Sequence, residues 1–189
     1  MGKSKAGRPP QRVARWAPLT KEQREEGERG ERRVAALFRG AGWQLSASAL
    51  EHTGSSHDMA VKPTGSERYV LTEVKDETRY QHSGNLCLEM RQGEPPRLSG
   101  LAATGAEVWV HILGDKLAAY RVEEMRRVVE KWTLKPLAAG DFFQEGVLFP
   151  IEWLGELESG YYGDWQGLLS APLWFPDGKK EEANDGAQG

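Results

Sequence analysis

Apolar positions first recur at helical spacing ahead of Gly40, where Val34, Leu37 and Phe38 form one stripe. Thr20, followed three residues later by Gln23, has the form of a capping box, so a helix is expected from there to Gly40. Gly27 and Gly30 interrupt its first half at a cost to intrinsic helix stability. Gly42 ends this unit, and Trp43 opens a short strand, WQLSAS. A polar loop, EHTGSSH, gives way to a short apolar piece at 58–61 and then to the Pro/Gly turn KPTGSE. Residues 68–75 (RYVLTEVK) alternate and are rich in β-formers, which predicts a strand. Further strands are expected at NLCLEM (85–90) and EVWVHIL (107–113), with 116–121 pairing back across Gly114-Asp115 as a hairpin. Between them, RQGEPPRLSG is a loop, with a helical turn at 98–104. VEEMRRVVEKW (122–132) is an amphipathic helix, and GVLFPIEWL adds one strand and a turn of helix.

This order predicts an α/β fold: a sheet of mixed strand direction with helices packed on it. One folded unit is expected at 20–176, preceded by a disordered basic arm (1–19) and followed by a disordered polar tail (177–189). The segment from about 142 onward is aromatic and rich in Gly and Pro. Its Trp153, Tyr161, Tyr162, Trp165 and Trp174 are expected to pack on the domain or to form an interface.

Composition narrows the function. The 189 residues are 39% hydrophobic and 28% charged, an ordinary globular balance. The single cysteine, Cys87, rules out an intramolecular disulfide and a four-thiolate zinc site. It reads as a small core residue in a reducing compartment. No run of about 18 apolar residues exists to span a membrane, and the N-terminus lacks the apolar stretch of a secretory signal, so a cytoplasmic protein is expected. The net charge of −3 is uneven. Residues 1–20 carry five basic side chains and no acid, and 177–189 carry two lysines and four acids, which leaves 18 basic and 24 acidic side chains at 21–176. A globally basic nucleic-acid binder is thereby excluded. Contact with phosphates would need a local basic patch, the N-terminal arm or a metal ion.

The candidate chemistry lies around the strand at 68–75. Side chains alternate along it, so Tyr69, Leu71, Glu73 and Lys75 share one face, and Val74 points into the opposite apolar layer. A carboxylate can hold a hard cation, and a lysine beside it can stabilise a hydroxide or a pentavalent phosphate. The turn at 63–66 makes 58–61 the other arm of a hairpin, with Asp58 near Glu73. Two carboxylates meeting across strands repel unless a cation lies between them, which points to Mg²⁺ or Mn²⁺. Glu31 lies three residues before Val34, on the core-facing stripe of the first helix; Glu28 is its rival, further off the stripe. Plainer roles also fit each residue singly: a solvated Glu31 paired with an arginine one turn away, a turn-capping Asp58, an exposed ion pair between Glu73 and Lys75. His52, His57 and His82 occupy polar loops around these residues, and His111 sits in an apolar strand as a structural histidine.

Together these residues resemble the PD-(D/E)XK nuclease superfamily, in its Holliday-junction-resolvase-like branch. The family pattern is an acid in a helix before a Gly-hydrophobic pair, then Pro-Asp, then Glu-X-Lys at a strand end. Here it reads Glu31 in GERGERRVAALFRGAGW, His57-Asp58, and Glu73-Val74-Lys75. SGNLCLEM, RLSGLAATGAEVWVHIL and GVLFPIEWL look like small phage-type members, so the resemblance runs over roughly residues 25–155. His57 replaces the motif proline, and Leu98-Ser99-Gly100 keeps only part of the family's loop.

The resemblance implies a restriction-endonuclease-like core, a central mixed sheet flanked by helices, and a metal-dependent nuclease acting on DNA. It implies Asp58 and Glu73 as direct metal ligands, joined by the Val74 backbone carbonyl. Lys75 would position or activate the attacking water, Glu31 would bind metal or bound water, and Glu89 would add a further carboxylate. Phosphate contacts are expected from Arg79, Arg91, Arg97 and the N-terminal arm, positioning a strand without reading its sequence. Two other readings stand beside this one. The first is a catalytically inactive, DNA-binding or assembly protein of nuclease-like fold. The second is an interaction protein that oligomerises through 142–175, which is compatible with a homodimeric nuclease.

Overall fold

The structure is a computed structural model that describes residues 21–46, 57–77, 83–93, 95–137 and 144–175. The expected basic arm and polar tail, Thr20, His52, Arg79 and His82 lie outside the described residues.

The first helix, α1, spans Lys21–Gly40. Its buried Val34, Ala35 and Phe38 lie on one stripe, as the periodicity predicts. Gly27 and Gly30 do not break it. At Gly30 a Cβ would lie 3.1 Å from Ile112 Cδ1 and 3.6 Å from Asp76 Cβ, so the missing side chain lets the helix lie close on the sheet. Just past its end, the Trp43 N–H bonds to the Phe38 carbonyl at 3.0 Å. The Phe38 and Trp43 rings stack with centroids 4.8 Å apart, the apolar contact that accompanies this kind of helix stop.

Six strands form the main sheet: β1 (Gln44–Leu45), β2 (Met59–Lys62), β3 (Val70–Asp76), β6 (Val108–Leu113), β7 (Lys116–Arg121) and β10 (Tyr161–Gly163), in the order β1-β2-β3-β6-β7-β10. β3 and β6 are parallel, with Glu73 beside Trp109 and Lys75 beside His111, and the other pairs are antiparallel. The mixed sheet and the α/β class are as expected. Both predicted hairpins are present, β2–β3 and β6–β7. All six residues of β6 are buried, which suits a central strand covered on both faces.

A second, four-stranded antiparallel sheet supplies the other cover. It contains β4 (Asn85–Gln92), β5 (Arg97–Leu98), β8 (Lys135–Pro136) and β9 (Gln144–Pro150), in the order β5-β4-β9-β8. The second helix, α2, is Val122–Val129, shorter than the expected 122–132. The helical turn expected at 98–104 contracts to a 3₁₀ turn at Gly100–Ala102.

Two apolar cores result. One joins α1 to the main sheet through Val34, Phe38, Met59, Val74, Val110, Ile112 and Leu117, with Trp174 closing it. The Trp174 ring meets Phe38 and Trp43 edge-on, and its indole N–H bonds to the Leu168 carbonyl at 2.7 Å. The other core lies between the sheets and under α2. It holds Leu86, Leu88, Trp109, Tyr120, Met125, Val147 and Phe149. Burying such a side chain contributes about 1.5–3 kcal/mol. Cys87 is not in either core. It alternates away from buried Leu86 and Leu88 and is half-exposed, because strand position outweighs its apolar character. Of the expected aromatic set, Trp174 is buried and Tyr161 and Trp165 pack partly, whereas Trp153 is half-exposed with its ring edge-on to Trp132 and Phe149, and Tyr162 is partly exposed under Lys116 Nζ. No helix among the described residues is long and apolar enough to cross a membrane.

Candidate active site

Asp58 sits one residue before β2. Since Met59 pairs with Thr72, the same antiparallel register carried one step further sets Asp58 opposite Glu73. The Asp58 N–H bonds to the Thr72 carbonyl at 3.1 Å, and its Oδ2 accepts the Val74 N–H at 2.7 Å. Asp58 is therefore attached at both backbone and side chain to the strand that carries Glu73. Within β3, Val70, Thr72 and Val74 are buried, Glu73 is half-buried and Lys75 is exposed. Glu73 Oε2 accepts a hydrogen bond from Thr104 Oγ1 at 3.3 Å.

Burial first, then the Asp58 charge and to a lesser degree Glu31, push the Glu73 carboxyl up to about 7, against the opposing pull of the Thr104 hydroxyl and Lys75. Asp58 is likewise raised by burial, opposed by the Val74 N–H, His57 and Lys75. Glu31 is raised by burial and then by Asp58 and Glu28, with Arg32 lowering it. Three acids and one lysine, from α1, the start of β2, and β3, thus feel one another. Gly30 is what allows this for Glu31, because it brings its turn of α1 down onto the sheet. Glu28, the rival acid, pairs instead with Arg32 at 3.2 Å on the helix surface.

The remaining expected residues divide. Glu89 belongs to β4 of the second sheet. Arg91, also on β4, pairs with Glu145 at 3.8 Å, and Arg97 is exposed on the two-residue edge strand β5. Asp76 follows Lys75 on the opposite face, toward α1, and is raised by burial and Glu26. His111 is a structural histidine: it is fully buried, its Nε2 is 2.9 Å from the Tyr120 hydroxyl, and burial pushes it down to about 3.

The donors of the site are hard carboxylate oxygens. Among the described residues no three or more His, Cys, Asp or Glu side chains gather into a metal-holding group. The Asp58–Glu73 pair suits Mg²⁺ or Mn²⁺, since Mg²⁺ is commonly held by one or two carboxylates and keeps several waters. Mutual repulsion and burial leave this pair short of positive charge, which a divalent cation would supply.

Thr104 and Arg126 escape the sequence reading. Arg126 bonds to the Thr104 carbonyl through Nη2 at 2.6 Å and to the Leu101 carbonyl through Nε at 2.8 Å. Thr104 ends the expected helical turn at 98–104 and Arg126 lies on an amphipathic helix, and no periodicity marks a contact between them.

No protein-family model, curated protein or solved structure matches the chain significantly.

Proposed function

We propose that this chain is a metal-dependent nuclease that hydrolyses phosphodiester bonds in DNA. One observation carries the reading: the Asp58–Glu73 pair opposed across β2 and β3, with Lys75 on the Glu73 face. In this reading Asp58 and Glu73 hold Mg²⁺ or Mn²⁺, with the Val74 carbonyl as a further ligand and Glu31 binding the ion or its water. When bound, the ion polarises the scissile phosphate and lowers the pKa of a water. Lys75 orients the attacking water and stabilises negative charge building on phosphorus. The acidic set has no complement for a polyanion by itself, so metal and substrate binding are coupled. Arg79, Arg91 and Arg97 contact phosphates and position the strand.

The test is cleavage of labelled branched, duplex and single-stranded DNA, with RNA alongside, in Mg²⁺ or Mn²⁺. Cleavage lost with EDTA, with Asp58→Ala and with Lys75→Ala is the expected result. Folded protein that binds DNA and cuts none of these substrates would favour a non-catalytic DNA-binding or assembly protein instead.

A further inference from the structure

We infer that Thr104 is a positioning residue for the Glu73 carboxylate, and that Arg126 and Gly100 fix Thr104 in that role. This rests on the metal-nuclease reading of Glu73. The Thr104 hydroxyl has one proton and two lone pairs. It accepts the Ala106 N–H at 3.1 Å, which occupies a lone pair and leaves the proton directed to Glu73 Oε2, 3.3 Å away. The main chain of Thr104 is held as well. Its N–H bonds to the Gly100 carbonyl at 2.9 Å, and its carbonyl accepts Arg126 Nη2. The planar guanidinium of Arg126 grips the Leu101 and Thr104 carbonyls together, so it fixes the turn as one piece.

The other side of the turn is fixed by β4. The Ser99 N–H bonds to the Met90 carbonyl at 3.1 Å. Gly100, at φ +49°, lies so close to β4 that a Cβ would fall 2.6 Å from the Glu89 carbonyl oxygen. β4 shifts register against β9 between Glu89 and Arg91, next to this contact. The 99–104 turn is thereby wedged between α2 and the second sheet, and its last residue reaches Glu73 on the first. A half-buried carboxylate beside two other acids would otherwise swing away from them; the Thr104 hydroxyl holds it in place. Outer partners of this kind are worth about 10–100-fold in metal affinity.

The experiment measures Mn²⁺ affinity by the loss of the free-ion electron paramagnetic resonance signal, in full-length protein without substrate. Wild type, Thr104→Val, Thr104→Ser, Arg126→Gln and Asp58→Ala are compared, each with a thermal melt. Thr104→Val and Arg126→Gln are expected to weaken Mn²⁺ about 10–100-fold, and Thr104→Ser to restore wild-type affinity. A Thr104 that merely braces the loop would lower Tm and leave the affinity of the folded protein unchanged, and that result overturns the inference. Failure of the underlying reading looks different: wild type and Asp58→Ala then bind Mn²⁺ equally poorly, and the positioning role falls with it.

Discussion

The Asp58 carboxylate serves as an extra rung between two strands: its Oδ2 takes the Val74 N–H at 2.7 Å, one residue beyond the last β2–β3 pair. The same group is a half-buried acid, raised by burial against the pull of the Val74 N–H, His57 and Lys75. Its structural and chemical duties can be separated. Asp58→Asn keeps an acceptor for Val74 and removes the charge. Its Tm in EDTA is expected to equal or exceed that of wild type, while DNA cleavage falls about 100-fold or more. Melting and cleavage assays on one preparation check both halves; full activity in the variant would remove Asp58 from the chemistry.

Glu73 links stability to pH. Its folded value of about 7 lies above the ordinary 4.5, so ionised Glu73 disfavours the native state. Metal-free protein therefore loses stability as pH rises through that interval, by about 1–3 kcal/mol. Melts in EDTA are expected to decline more steeply for wild type than for Glu73→Gln between about pH 5 and 8. Added Mg²⁺ should raise Tm more at the upper end, where the carboxylate is already ionised. Parallel wild-type and variant curves would contradict this account.

His111 acts in the opposite direction. Its folded value of about 3 lies below 6.5, so protonation is tolerated far better by the unfolded chain. Stability from this residue is present above about pH 6.5 and is lost progressively on acidification. In proton NMR its imidazole resonances should not titrate between about pH 5 and 8. A midpoint near 6.5 would show that the ring is solvated and that its contact with Tyr120 is not maintained.

Lys75 is exposed, so removing its charge carries little folding cost. Lys75→Met is expected to keep wild-type Tm and Mn²⁺ affinity while kcat drops about 10²–10³-fold. Unchanged kcat would leave the lysine as a solvated strand-end residue.

The aromatic C-terminal segment is part of the α1 core through Trp174. Trp174→Ala removes the edge-on contacts to Phe38 and Trp43 and the indole bond to Leu168. A loss of about 3–5 kcal/mol is expected in urea unfolding. A loss below about 1 kcal/mol would mean that the segment is a detachable flap.

Much of this arrangement is legible in local pattern. Alternation in RYVLTEVK and a Pro/Gly turn are enough to oppose Asp58 and Glu73, because a hairpin's register follows from its turn. Helical spacing puts Glu31 on the stripe with Val34 and Phe38. The pattern is silent on partners distant along the chain. NLCLEM reads as a strand, yet nothing in it says that it pairs with β9, some sixty residues on, in a second sheet. Thr104 and Arg126 meet only because that sheet and α2 enclose one turn. Cys87 was open to the alternation argument: Leu86 and Leu88 face the core, so their neighbour faces out, whatever its polarity.

The parallel neighbour of β3 has a consequence for the order of assembly. All four charged groups of the site are in the chain by residue 75. The strand that flanks Glu73 and Lys75 comes only at Val108–Leu113, and the guanidinium that fixes Thr104 comes at residue 126. Connections of this length close slowly. A chain emerging from the ribosome would hold Asp58, Glu73 and Lys75 on an unsupported hairpin, with Glu31 in the helix before it, while half of the protein is still unmade. Geometry arrives last, so a nascent or truncated chain carries the chemistry without the means to aim it.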